Sequence, residues 1–170
     1  MNHRECYDAC MSEKEFRIRR ARPEDAAQLG GLVLGLMQHM GDPLEGFDAA
    51  RFTNDAFGDE PQFSVFVAER GRDLVGYALF HDSYEPSYTA RGVYLSDRYG
   101  SEAMRRHGVG RALLAQVAKD AKARQRTFVW WVARSDPARA FYRTLANVEQ
   151  PATTHAVTFE AFERLLGGDT

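Results

Sequence analysis

The residues richest in chemistry run from Arg105 to Leu114, in the order Arg105-Arg106-His107-Gly108-Val109-Gly110-Arg111-Ala112-Leu113-Leu114. Gly108 and Gly110 lack a Cβ, so the main chain there can approach a ligand closely, and they stand where an amphipathic helical pattern begins. The N–H groups of a first helical turn have no partner within the helix and lie at the positive end of its dipole, which suits them to a phosphate. Arg105, Arg106 and Arg111 add charge that matches a pyrophosphate or a ribose phosphate. Two commoner phosphate loops are excluded: a dinucleotide fingerprint needs a third small residue where Leu113 stands, and a P-loop needs Lys followed by Ser or Thr. The plain alternative is a surface turn whose glycines only end the preceding loop.

The elements that must position this segment can be read from periodicity. Phe16 to Arg19 alternates as a short strand, Pro23 opens a first helix that continues to Met40, and Glu24 and Asp25 suit the positive end of its dipole. Asp48 is placed to cap a second helix through Phe57. Runs at 63–69 and 73–80, joined by Arg70-Gly71-Arg72, predict a hairpin, and a further strand is expected at about 92–99 after the polar, aromatic segment 81–90. Leu113, Leu114, Val117, Ala118 and Ala121 form one stripe of a helix that starts near Val109. The apolar run from Thr127 to Val132 predicts a strand covered on both faces and parallel to its neighbour. Trp130 and Trp131, adjacent on it, face opposite sides and are read as core packing. Asp136-Pro137 is expected to cap and open a helix, and a strand near His155 to Phe159 precedes a last helix. The sum is an α/β (α+β) fold, a mixed and mostly antiparallel central sheet flanked by helices, with one strand-helix-strand crossover carrying the glycine loop.

Composition narrows the partners. A chain of 170 residues with 44% apolar content fits a single domain, here 16–170, behind a polar leader at 1–15. A net charge of -2 offers no broad field for nucleic acid, and no apolar run is long enough to cross a bilayer. With no signal-peptide core either, a cytoplasmic location is expected. Cys6 and Cys10 sit in the leader, which is expected to be disordered; their spacing with His3 fits no closed zinc pattern, and no metal is expected.

Arg-x-x-Gly-x-Gly at a helix start, then a strand, then Ala138-Arg139-Ala140-Phe141-Tyr142 resembles the two diagnostic segments of the GNAT acetyltransferase superfamily. The opening Ile18-Arg19-Arg20-Ala21-Arg22-Pro23-Glu24-Asp25 is similar to that superfamily's first strand and helix. A closer likeness, to the diamine and spermidine/spermine acetyltransferase branch, is carried by Asp55-Ala56-Phe57-Gly58-Asp59-Glu60-Pro61, Val67-Ala68-Glu69, Val75-Gly76-Tyr77-Ala78, Tyr84-Glu85-Pro86 and Tyr94-Leu95.

The resemblance implies acetyl transfer from acetyl-CoA to a primary amine of a small molecule, diamine-like or amino-acid-like, by direct attack in a ternary complex. It places the CoA pyrophosphate on main-chain N–H groups from Arg106 through His107, Gly108, Val109 and Gly110 to Arg111, with Arg105 alongside. It sets Arg98, Tyr99 and Gly100 along the acetyl group, Ser135 and Ala138 near the cofactor, and Tyr142 as the acid that protonates the leaving thiolate. Many relatives are homodimers, and the same is expected here. Ser135 stands where the family often has Asn, and Leu95-Ser96-Asp97 stands where the polyamine branch carries Leu-Glu-Asp, so the branch's usual base is missing.

Ser96, ordering a water, and Asp97 remain candidates for the proton from the amine, although a one-residue step on a regular strand turns Asp97 to the opposite face. His81, Asp82 and Glu85 precede this strand and are candidates for the acceptor side, with Tyr84, Tyr88, Asp42 and Glu45 as further carboxylates and rings for a cation. For each the ordinary reading is a solvated loop. Loss of the branch's glutamate also motivates a CoA-binding regulatory module with impaired catalysis, and a protein or peptide N-acetyltransferase is a third reading.

Overall fold

The computed structural model describes residues 16–151 and 155, so the leader with Cys6 and Cys10 and the expected strand and helix beyond Ala152 lie outside the described residues. The chain divides into two compact units between Val132 and Ala133.

The first unit is built on a sheet in the order β1 (Arg17–Arg20), β2 (Ser64–Arg70), β3 (Asp73–Glu85), β4 (Ala90–Gly100) and β5 (Val129–Trp130). Neighbours are antiparallel except β4 and β5, which run parallel and are joined through helix α3 (Val109–Ala123). The mixed sheet and its single crossover are those expected from the sequence. Gly71, at φ +62, takes the left-handed position of the tight turn between β2 and β3, a conformation without steric cost for glycine.

β3 and β4 are longer than the hydrophobic pattern predicts. His81 to Glu85 pair residue by residue with Tyr94 to Ala90, and on the β3 side His81, Asp82 and Tyr84 are exposed. Backbone pairing continues beyond the part of the sheet that the helices cover, so its outer residues need not be apolar.

Helices α1 (Ala26–Met40) and α2 (Ala49–Phe57) cover one face. Leu29 and Val33 of α1 join Val65, Val67, Tyr77 and Leu79 in one core, bordered by Phe47, Phe52 and Phe63. Asp48 caps α2 as expected, accepting from the N–H groups of Ala50 and Arg51 at 3.0 Å. By alternation Phe66, Ala68, Ala78 and Phe80 face the other way, the side where α3 buries Leu113 and Val117.

Two expectations are corrected. The regular strand after α3 is only Val129–Trp130, and it is not covered on both faces, since Trp130 is 49% exposed. Trp130 is therefore no core residue: its ring meets Tyr94 edge-on at 5.1 Å and its indole N–H donates to Ser83 Oγ at 3.2 Å.

The second unit, described by itself, contains helix α4 (Asp136–Arg143). Its cap is Ser135, not Asp136: Ser135 Oγ accepts from the Ala138 N–H at 3.4 Å, while Asp136 lies in the first turn and pairs with Arg139. Pro137 takes an early helical position, where its missing N–H costs nothing.

Candidate active site

The glycine loop is set on the sheet by close packing. A Cβ on Gly76 would fall 2.9 Å from Val109 Cγ1 and 2.7 Å from the Tyr99 carbonyl oxygen, so Gly76 is what allows the first residue of α3 to rest on the strands. Val109 is 2% exposed, so the first residue of α3 is packed against the sheet and fixes where the helix begins. The Ser101 N–H donates to Val75 O at 2.9 Å and holds the exit of β4 in place.

Beyond Ser101 the chain makes a short turn and then enters α3 through left-handed residues at Arg106 (φ +66) and Gly108 (φ +80). A Cβ on Gly108 would meet nothing within 4 Å, so glycine serves the backbone angle there and the space beside it is open. Ala112 N donates to Gly108 O at 3.0 Å, so the N–H groups of Val109, Gly110 and Arg111 precede the first intrahelical bond. Open space beside such donors is what a phosphate requires. Arg105 pairs with Glu102 at 2.9 Å, and the His107 ring lies 2.9 Å from Arg105 O, so these side chains brace the turn.

Gly110 has a different role from the one its sequence position suggests. A Cβ there would lie 1.9 Å from Arg98 Nη1. The missing side chain makes room for a neighbouring guanidinium, which brings a further positive charge to the first turn of α3.

β4 carries the other decisive feature. Leu79 pairs with Asp97 but Phe80 pairs with Leu95, leaving Ser96 as the extra residue of a β-bulge. Alternation is suspended at this point. Because His81 pairs with Tyr94 and Leu79 with Asp97, Tyr94 and Asp97 share a face although they are three residues apart. That face is the one that α1 and α2 cover, and there Tyr77 Oη donates to Asp97 Oδ2 at 3.2 Å. Tyr99 lies on the same side, with its hydroxyl 3.3 Å from where a Cβ on Gly35 would stand.

Among the described residues no cluster of His, Cys, Asp or Glu could hold a metal ion, and no helix is long and apolar enough to cross a membrane. Residues 35–146 match the model of the acetyltransferase (GNAT) family. The chain belongs to this family.

Members of the GNAT family take acetyl-CoA as cosubstrate, and the open, donor-lined start of α3 fits its diphosphate. The chain is 31% identical over 113 residues to human spermidine/spermine N(1)-acetyltransferase-like protein 1, covering 61% of this chain and 16% of that protein. It is 30% identical over 113 residues to mouse thialysine N-epsilon-acetyltransferase, covering 61% of this chain and 65% of the mouse protein. The match thus spans less than two thirds of either relative. An integron cassette protein from the mobile metagenome of V. cholerae shares the fold at TM-score 0.73 and 19% identity, over 89% of this chain and 98% of that one.

The GNAT fold does not bring all the acceptor candidates together. His81 stands on the α1 face, its ring 5.3 Å from Tyr94. Asp82 points the other way and is tied to Arg124 and to Arg126, the latter at 2.6 Å. Hydrogen bonds from Arg126 first and then Arg124 hold its carboxyl below the ordinary range. Arg124 caps the far end of α3, a helix of 15 residues, so Asp82 lies about 22 Å from the glycine loop at ~1.5 Å of rise per residue. A cleft of about 330 Å³ opens beside Asp82 and Arg124, remote from the loop for the same reason. Glu85, at the hairpin tip, accepts from the Ser87 N–H at 3.0 Å.

Tyr142 lies on α4 in the second unit, its ring 5.2 Å from Phe141 in an edge-on contact. Ser135 Oγ serves as a helix cap and Ala138 as its donor.

The sequence reading missed Tyr77. Its spacing resembles any core position, and only the cross-strand register shows that it reaches Asp97. The seating of the Arg98 guanidinium against Gly110 was equally hidden, because it depends on two elements meeting.

Proposed function

We propose that this protein transfers an acetyl group from acetyl-CoA to a primary amine of a small molecule by direct attack in a ternary complex. The observation that carries this reading is the juxtaposition of the bulged strand β4 with the open start of α3, in a chain of the GNAT family.

Main-chain donors at Arg106 and from Gly108 to Arg111 hold the diphosphate, aided by the guanidinium groups of Arg98, Arg105 and Arg111, whereas the His107 N–H donates to Met104 O at 3.3 Å. The strand end at Arg98, Tyr99 and Gly100 lies along the acetyl group, where a main-chain N–H opposes the charge that develops on the carbonyl oxygen. Tyr142 protonates the leaving thiolate, a role that rests on the likeness of the segment Ala138 to Tyr142. Ser96 and Asp97 serve the amine. His81 lies on the Asp97 face and remains an acceptor contact; Asp82, held by two arginines and far from the loop, is the weakest of these candidates. The names of the relatives support an amine acceptor such as a polyamine or thialysine. A homodimer rests on the family resemblance, while residues 16–170 as one domain and a cytoplasmic location rest on the length and composition of the chain.

The test is thiol release from acetyl-CoA with a panel of spermidine, putrescine, thialysine, lysine and a peptide with a free N-terminus. Turnover with a free amine is expected. Binding of acetyl-CoA by calorimetry with no turnover of any acceptor would instead mean a CoA-binding regulatory module, which the serine at position 96 favours. Turnover of the peptide alone would mean a protein acetyltransferase.

A further inference from the structure

We propose that Tyr77 is a positioning residue that fixes the carboxylate of Asp97 on the α1 face of the sheet, and that Asp97 takes the proton from the incoming ammonium. This rests on the acetyl-transfer reading and adds to it which group accepts the proton and what holds that group.

The register of β3 and β4 is the first support. Without the bulge at Ser96, alternation would turn Asp97 away from Tyr94 and Tyr77; with it, Asp97 joins their face. The hydrogen bond is the second. Tyr77 is 0% exposed and its ring belongs to the core made with Leu29, Val33 and Val67, so its hydroxyl has little freedom of its own. A donor held this firmly restricts the carboxylate it touches at 3.2 Å. Asp97 itself is only partly buried and so remains reachable from solvent.

The phenol also stays a donor. Burial first, and then the charge of Asp97, push the Tyr77 phenol well above its ordinary value. A phenol that keeps its proton keeps the hydrogen bond in one direction, from the Tyr77 hydroxyl to the Asp97 carboxylate.

The step balances. An N–H bond of the ammonium breaks and an O–H bond forms on Asp97, leaving a lone pair that makes the C–N bond to the thioester carbon. The C–S bond then breaks, the thiolate takes a proton from Tyr142, and Tyr142 regains one from the new amide nitrogen. Asp97 returns its proton to water, so one ammonium and one thioester give one amide, one thiol and one proton.

The experiment is a double-mutant cycle read as kcat with the panel amine that turns over fastest, with acetyl-CoA binding followed by calorimetry. General-base loss in Asp97→Asn is expected to lower kcat by about 100-fold or more while acetyl-CoA affinity stays unchanged. Tyr77→Phe is expected to lower kcat by about tenfold on its own, and by less than about twofold in the Asp97→Asn background, because both act through one carboxylate. An equal factor in both backgrounds would show that Tyr77 acts independently of Asp97 and overturn the positioning role. Full kcat in Asp97→Asn would overturn the proton role, and this arm stands even if Tyr77→Phe fails to fold. Absence of turnover in the wild-type protein with every acceptor sinks the acetyl-transfer reading itself, and this inference with it.

Discussion

The guanidinium of Arg98 fills the space that any side chain at Gly110 would need, at 1.9 Å from the position of a Cβ. One residue comes from the end of β4 and the other from the first turn of α3, so the pair joins the strand proposed to run along the acetyl group to the helix start proposed to take the diphosphate.

Gly110→Ala is therefore expected to displace Arg98 without unfolding the protein, because the clashing atom is the end of a flexible side chain and alanine favours the helix by up to about 1 kcal/mol. Acetyl-CoA affinity should fall about tenfold or more by calorimetry. Arg98→Ala should show a similar loss, and the double variant should be no worse than Arg98→Ala alone. Unchanged affinity in both single variants would remove Arg98 from cofactor binding.

Tyr142→Phe should lower kcat by about 100-fold with little change in acetyl-CoA affinity, the pattern of a group needed only when the thiolate leaves. Steady-state kinetics beside calorimetry check it; equal losses in kcat and binding would point to packing with Phe141.

Gly92 is a seat for Phe128, whose ring would lie 2.1 Å from a Cβ there. Gly92→Ala is expected to cost about 1–3 kcal/mol through overpacking, measured by denaturant unfolding. Adding Phe128→Leu should recover part of that loss.

An ion cluster ties the first strand to the first helix. Arg19 holds Asp25 at 2.6 and 2.8 Å and Glu69 at 2.9 Å, and Glu69 also meets Arg17. The Arg19 hydrogen bond holds the Asp25 carboxyl below its ordinary value, and Arg19 and then Arg17 hold Glu69 down to about 2. A depressed carboxylate stabilises the fold fully above its unfolded value of about 4 and loses that contribution as pH falls through the folded value. Stability is thus expected to drop from about pH 4.5 towards pH 2, followed by urea unfolding. Arg19→Ala should destabilise the protein at pH 7 and flatten that acid limb, because it takes a partner from both carboxylates.

The order of elements was legible in the residues because it follows from local spacing. The stripe of Leu113, Leu114 and Val117, the cap at Asp48 and the turn at Gly71 each depend on a few neighbours in the chain. The glycine loop at Gly108 was legible for the same reason. The outer rungs of β3 and β4 were not, because His81 to Glu85 pair through their backbones while their side chains are polar, and Trp130 was misread because a short apolar run does not say whether anything covers it.

What the chain alone determined, then, was local: which residues carry donors, charge and apolar stripes, and where helices and strands begin. The tertiary structure decided the relations across strands. The extra residue at Ser96 sets Asp97 beside Tyr77, the contact of α3 with β4 gives Gly110 to Arg98, and two arginines hold Asp82 at the far end of α3. Such relations depend on register and on close approach between distant segments, and neither is a property of neighbouring residues.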